Sequence, residues 1–191
     1  MSCKLLENYY IKKAVKVIKS GKVIIYPTEA VFGIGCDPNN EQSLKKILEI
    51  KQRDYKKGLI IVASDFTQIL DYIDIELVPK DIFNKLKQFW PLHTTYIFPA
   101  HKSLSRYLIG ENNDTIAIRV SSNTYIKKIC DLLGHPIVST SANLSGHNNI
   151  IDYKQAKKIF KNKGVYIVPG IVDINLKPSK IVDVFNSKVL R

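Results

Sequence analysis

The sequence predicts an α/β fold, a single domain on a twisted sheet that mixes parallel and antiparallel strands and is flanked by helices. Three observations carry that reading. Short apolar runs rich in Val and Ile, at 22–26, 59–63, 94–98, 115–120, 135–138, 165–168 and 181–185, are separated by stretches with helical periodicity. Their spacing is too irregular for a row of equivalent βαβ units, so the sheet is expected to be mixed. At 191 residues, 45% apolar and 24% charged, the chain suits one globular domain, 1–191, with a substantial core.

Each element has its own signal. Leu5, Leu6, Tyr9, Tyr10, Val15 and Ile18 recur at helical spacing until Gly21 stops them. The strand at 22–26 ends at Pro27 and gives way to a loop over 27–37. Gly33 and Gly35 there permit positive φ and close backbone approach. The loop is neither a P-loop nor a Rossmann fingerprint. Asn39 or Asn40 caps a helix carrying Leu44, Ile47 and Leu48, which runs into the basic segment 51–58. Asp65 caps a short helix. Pro79 opens another, with Ile82, Phe83, Leu86 and Phe89 facing inward and Trp90-Pro91 ending it. A short helical turn holds Leu104, Tyr107 and Leu108 before a loop around Gly110 and Asn112-Asn113. In 115–120, Ile116, Ile118 and Val120 share one face, and Thr115, Ala117 and Arg119 the other. An arginine there requires solvent or an anion. Ile126, Ile129, Cys130 and Leu133 mark a helix closed by Gly134. Asp152 caps a last helix with Ala156, Ile159 and Phe160 inward.

The net charge of +12 points to polyanionic partners such as nucleic acid, nucleotide or phosphate. A compositional skew toward Lys, Ile and Asn accounts for part of it. Only four of the 29 basic residues are arginine (Arg53, Arg106, Arg119, Arg191). Where lysine is the default cation, arginine marks sites that need a planar, bidentate donor, which singles out Arg53 and Arg119. Lys154, Lys157, Lys158 and Lys161 make the last helix the best candidate for electrostatic contact with RNA, although a solvated lysine face is the commoner outcome.

Cys3, Cys36 and Cys130 form no C-x-x-C pair and read as reduced thiols, and the four histidines have no metal-ligand spacing. No apolar run approaches the ~20 residues of a membrane span, and the N-terminus lacks a signal-peptide pattern. A cytoplasmic protein with no membrane partner and no resident metal is expected.

The stretch 139–146, Ser-Thr-Ser-Ala-Asn-Leu-Ser-Gly, follows the strand at 135–138 and offers hydroxyls and an amide where α/β proteins bind ligands. Alone it also reads as a plain turn. It gains meaning beside Tyr26-Pro27-Thr28-Glu29 with Phe32-Gly33-Ile34-Gly35, Lys51-Gln52-Arg53, Ala117-Ile118-Arg119-Val120, and Pro178-Ser179 followed by Ile181-Val182-Asp183. In this order and spacing the five stretches resemble the YrdC-like family in its bacterial short form, over essentially the whole chain.

The resemblance implies a twisted α/β fold with a basic concave face. It also implies an enzyme, a nucleotidyltransferase, that makes threonylcarbamoyl-AMP and pyrophosphate from L-threonine, bicarbonate or CO2, and ATP, with Mg2+ accompanying the ATP. The product would serve the threonylcarbamoyladenosine modification of tRNA beside the anticodon, through other tRNA threonylcarbamoyl-transfer proteins and with possible tRNA contact. Carried over by motif, Lys51 and Arg53 are the catalytic pair. Thr28, Lys51, Ser139 and Ser179 contact threonine, while Arg53, Lys57, Thr95, Arg119, Ser141 and Asn143 contact the nucleotide.

Two departures from the family pattern stand out. The W-P-G-P-x-T motif appears as Trp90-Pro91-Leu92-His93-Thr94-Thr95, which would strain Leu92 if that position needs positive φ, or shift the loop and Thr95 with it. Lys180 replaces the threonine usual after Pro-Ser. The chain is also expected to lack the second domain of the long form, with Arg191 a frayed terminus or a closing cation. A non-catalytic RNA-binding module is the alternative reading. A carbamoyl-transfer domain of the hydrogenase-maturation type is disfavoured, because its CxxC zinc units are absent.

Overall fold

The β-branched runs form strands as their composition dictates, but they assemble into two sheets. The computed structural model describes residues 3–111, 113–144, 146–176 and 179–190, with Cys3 and Lys4 described by backbone alone. Expectations attached to Asn112, Ser145, Pro178, Arg191 and the Cys3 thiol lie outside what is described.

In chain order the elements are α1 (Cys3–Lys19), β1 (Ile24–Pro27), β2 (Phe32–Gly35), α2 (Glu41–Lys51), β3 (Ile60–Ala63), α3 (Lys80–Phe89), β4 (Thr94–Pro99) and α4 (Arg106–Ile109). Then come β5 (Thr115–Val120), α5 (Thr124–Leu133), β6 (Ile137–Val138), β7 (Thr140–Ser141), α6 (Tyr153–Phe160), β8 (Tyr166–Ile167) and β9 (Lys180–Asp183). One sheet has the order β7-β2-β1-β8 and the other β6-β3-β5-β4-β9. Both are mixed. β1 runs antiparallel to β2 and parallel to β8, and β5 runs parallel to β3 and antiparallel to β4. The chain passes from one sheet to the other across a single residue, Ser139, between β6 and β7.

Phe32–Gly35, inside the stretch 27–37 read from sequence as loop, is β2. Its glycines serve close approach rather than positive φ. A Cβ on Gly35 would sit 2.4 Å from the Val138 carbonyl oxygen, and one on Gly33 2.8 Å from Thr28 Cγ2. Removing the side chains lets β2 lie against β1 and the β6–β7 crossing.

Capping follows the sequence signals. Asn40, Asp65 and Asp152 accept from backbone N–H groups at helix starts, and Gly134 ends α5 in the left-handed region. Two inward assignments fail, and part of the α1 stripe is exposed. α1 buries Ile11, Ala14, Val15 and Ile18, while Leu5, Leu6 and Tyr9 are exposed. Phe89 and Ile159 are exposed too. Phe89 is the last residue of α3, whereas Ile159 sits between the buried Ala156 and Phe160 of α6 and points off their face. The core has two parts, one around β2, β3 and β5, and one where α1 and α5 cover β1 and β3. Cys36 and Cys130 are buried and free, as expected of reduced thiols. Among the described residues no helix is long and apolar enough to cross a membrane.

Candidate functional site

Where the two sheets meet, their strands leave a polar cleft of about 200 Å³. The β1–β2 hairpin contributes Thr28, Glu29 and Gly33, and the crossing contributes Ser139, Thr140 and Ser141. From the five-stranded sheet come Ile60 and Val62 of β3, Thr95 of β4 and Arg119 of β5, with Ser179 just before β9. His93 and Asn149 complete the described polar wall.

Backbone register and burial fix what each group can offer. Tyr26, fully buried in β1, lies 2.6 Å from Ser139 Oγ. Burial pushes its phenol well above the ordinary value, so Tyr26 is the donor and Ser139 keeps its own proton free to donate. Thr28 Oγ1 donates to the Val31 carbonyl at 2.6 Å, closing the hairpin turn and leaving its oxygen as an acceptor. Thr95 and Ser179 share a hydrogen bond at 2.9 Å, made possible by the parallel pairing of β4 with β9.

Arg119 supplies the charge. Its Nη2 donates to Glu29 Oε2 at 3.1 Å and its Nη1 to His93 Nδ1 at 3.4 Å. Ser121 donates to the other Glu29 oxygen at 2.6 Å. Burial alone would push the Glu29 carboxyl up, but the Arg119 charge and the Ser121 hydrogen bond together hold it below the usual range.

Six of the ten sequence-derived site residues line this cleft: Thr28, Thr95, Arg119, Ser139, Ser141 and Ser179. The other four do not. Lys51 is buried at the end of α2 and spends its ammonium on the crossing loop, donating to the Ser141 carbonyl, to the Asn143 carbonyl at 3.0 Å and to Asn143 Oδ1 at 3.1 Å. Asn143 Oδ1 also accepts from the Ser141 hydroxyl at 2.6 Å. Burial first, and then the nearby Arg53 charge, pull Lys51 down to about 8. Gln52, in the left-handed region as the cap of α2, turns the chain so that Arg53 departs from Lys51. The Arg53 guanidinium donates to the carbonyls of Gly58 and Lys57, closing the turn that carries exposed Lys57 and leads into Ile60.

The feared distortion at 90–95 does not occur. Leu92 is not among the positive-φ residues, and Thr95 takes its place in the wall. Sequence reasoning missed Glu29, His93, Thr140 and Asn149. Glu29 had a signal, since it stands beside Thr28 in the Tyr26–Glu29 motif and Arg119 on its strand face calls for solvent or an anion. His93 and Asn149 had none beyond residue type.

Fold and cleft together define a class of protein: a mixed-sheet α/β protein with a small cleft at the sheet junction, lined by hydroxyls and by one Arg–Glu pair. The Sua5/YciO/YrdC family model, described as telomere recombination, matches residues 16–191, and the chain belongs to that family. A threonylcarbamoyl-AMP synthase of Pseudoalteromonas translucida is 42% identical over 181 residues, 95% of this chain and 96% of that protein. Among solved structures, P. abyssi Sua5 complexed with L-threonine matches at a TM-score of 0.86 and 29% identity, over 97% of this chain. This chain spans only 54% of that one. E. coli YciO matches at a TM-score of 0.81 and 26% identity, covering 96% of this chain and 88% of that one.

Proposed function

We propose that this chain is a threonylcarbamoyl-AMP synthase, a nucleotidyltransferase that joins L-threonine, bicarbonate or CO2, and ATP with release of pyrophosphate. The observation that carries the reading is convergence: six motif residues from separate segments of the chain line one cleft. The full-length likeness to a protein of that name supports it.

The chemistry needs no nucleophilic side chain. The threonine amine adds to CO2 and gives up a proton to form a carbamate. A carbamate oxygen then attacks the α-phosphorus of ATP as the bond to the pyrophosphate oxygen breaks. Both steps crowd anions together, so the protein's contribution is fixed charge and aimed donors. In this reading Thr28, Ser139 and Ser179 hold threonine, and Thr95, Arg119 and Ser141 the nucleotide. Lys51 and Asn143 act by fixing the loop that carries Ser141. Arg53 and Lys57, on the turn entering β3, face the polyphosphate. The only carboxylate on the described cleft wall, Glu29, is engaged by Arg119 and Ser121, and no cluster of three or more His, Cys, Asp or Glu among the described residues could hold a metal. Mg2+ therefore belongs on the phosphates of ATP.

Residues 1–191 act as one YrdC-like domain in the cytoplasm and pass the adenylate to other tRNA threonylcarbamoyl-transfer proteins. The exposed lysines of α6 and a basic concave face serve any direct tRNA contact. ATP–pyrophosphate exchange that requires both threonine and bicarbonate is the expected result. Absence of exchange, with RNA binding retained, would replace the enzyme by a non-catalytic RNA-binding module.

A further inference from the structure

A guanidinium carries five N–H donors and no acceptor. Two of those on Arg119 meet Glu29 and His93, and no other protein partner among the described residues takes the remaining three. The Arg119 side chain is 9% exposed and still lines the cleft. A largely buried ion pair is weak evidence for stability, because desolvation offsets most of the attraction. Spare donors on a pair that lines the cleft point to a ligand instead. The pair is also braced. Ser121 holds the second oxygen of Glu29, and Ser121 Oγ in turn accepts from the Asn123 N–H at 3.1 Å, at the residue capping α5. The Glu29 carbonyl accepts from the Asp173 N–H at 2.8 Å. On the other side, His93 Nδ1 must be the acceptor, since a guanidinium cannot be.

We propose that Glu29 is a positioning residue: braced by Ser121 and opposed by His93, it sets the Arg119 guanidinium as the seat for an anionic group of the substrate. In the assignment above that group is a phosphate of ATP, and the carboxylate of threonine is the other outcome the test distinguishes. Glu29 itself does not touch it. The inference rests on the proposed activity and names how one wall of that site is held.

The test is a double-mutant cycle on KM and kcat, with KM measured separately for ATP and threonine. Arg119→Ala raises one of the two KM values about 10- to 100-fold, the loss expected for a charge-assisted contact, and the affected KM identifies the anion. Glu29→Ala raises the same KM. Glu29→Gln can still accept from Arg119 while its amide turns to Ser121, and it stays within about threefold of wild type. Ser121→Ala, which leaves no charge unpaired, raises the same KM several-fold. Glu29→Ala combined with Arg119→Ala is no worse than Arg119→Ala alone. Additive losses in the double mutant, or unchanged KM values in Arg119→Ala at an unchanged melting temperature, would overturn the proposal. Absence of turnover in the wild type would sink the activity alone. The same cycle, read by calorimetric binding of ATP and of threonine, would still judge the positioning role.

Discussion

Lys51 is surrounded by oxygens, three of them accepting from its ammonium. A protonated amine can supply three N–H bonds and a neutral one only two. With its pKa pulled down to about 8, the clamp on the crossing loop weakens at mildly alkaline pH. The reaction's kcat/KM is therefore expected to fall as pH rises through about 8, and a profile flat to pH 9.5 would exclude the clamp. Stability moves the other way. The folded pKa lies below the ordinary 10.5, so between about 8 and 10.5 the unfolded chain holds more of this proton. This group's contribution to folding free energy thus rises with pH across that window. Urea titrations of wild type against Lys51→Met should show the wild type gaining as pH rises from about 8 to about 10.5.

Among the elements, the β1–β2 hairpin places most of one cleft wall, and its glycines make that possible. Gly35→Ala would drive a methyl group against the Val138 carbonyl. The expected cost is about 1–3 kcal/mol, read as a drop in Tm of about 2–4 °C per kcal/mol. An unchanged Tm would mean that the crossing yields easily. The sequence signalled these glycines as sites of close approach but gave no hint that 32–35 is a strand, because two glycines erase the β-branched signature. The caps at Asn40, Asp152 and Gly134 were readable, since capping depends on local chemistry alone. The inward faces of α1, α3 and α6 were readable only in part. Periodicity marks an apolar stripe but says neither where along it the neighbouring layer ends nor how wide a face is covered, which is why Phe89, at the end of α3, and Ile159, beside the buried Phe160, face solvent.

For the whole molecule, fold class and mixed pairing were legible, but the division into two sheets was not. That division depends on β6 and β7, two-residue strands flanking Ser139, which are too short for any pattern to register. The site was legible to the same degree. Thr28, Ser139, Ser141 and Ser179 line one cleft; only the hydroxyl-rich run 139–146 stands out by its composition, while Thr28 and Ser179 enter through the family resemblance. The routing of Lys51 behind the loop depends on carbonyls about 90 residues away, which no spacing encodes, and that of Arg53 depends on the shape its own turn takes over Lys57 and Gly58.

The one-residue crossing at Ser139 also limits how the gene can vary. Because the same peptide ends one sheet and starts the other, an added codon after Ser139 has no loop in which to be absorbed, and it slides β7 along β2. Such a variant is expected to fold, since each sheet keeps its other strands, but to lose threonine-dependent exchange. An extra residue between His147 and Asn148, both exposed outside any strand, should be carried silently. Insertion scanning would then show an abrupt boundary between forbidden and permitted length within about ten positions of chain, and equal tolerance at both points would show that the sheets are not coupled through this peptide.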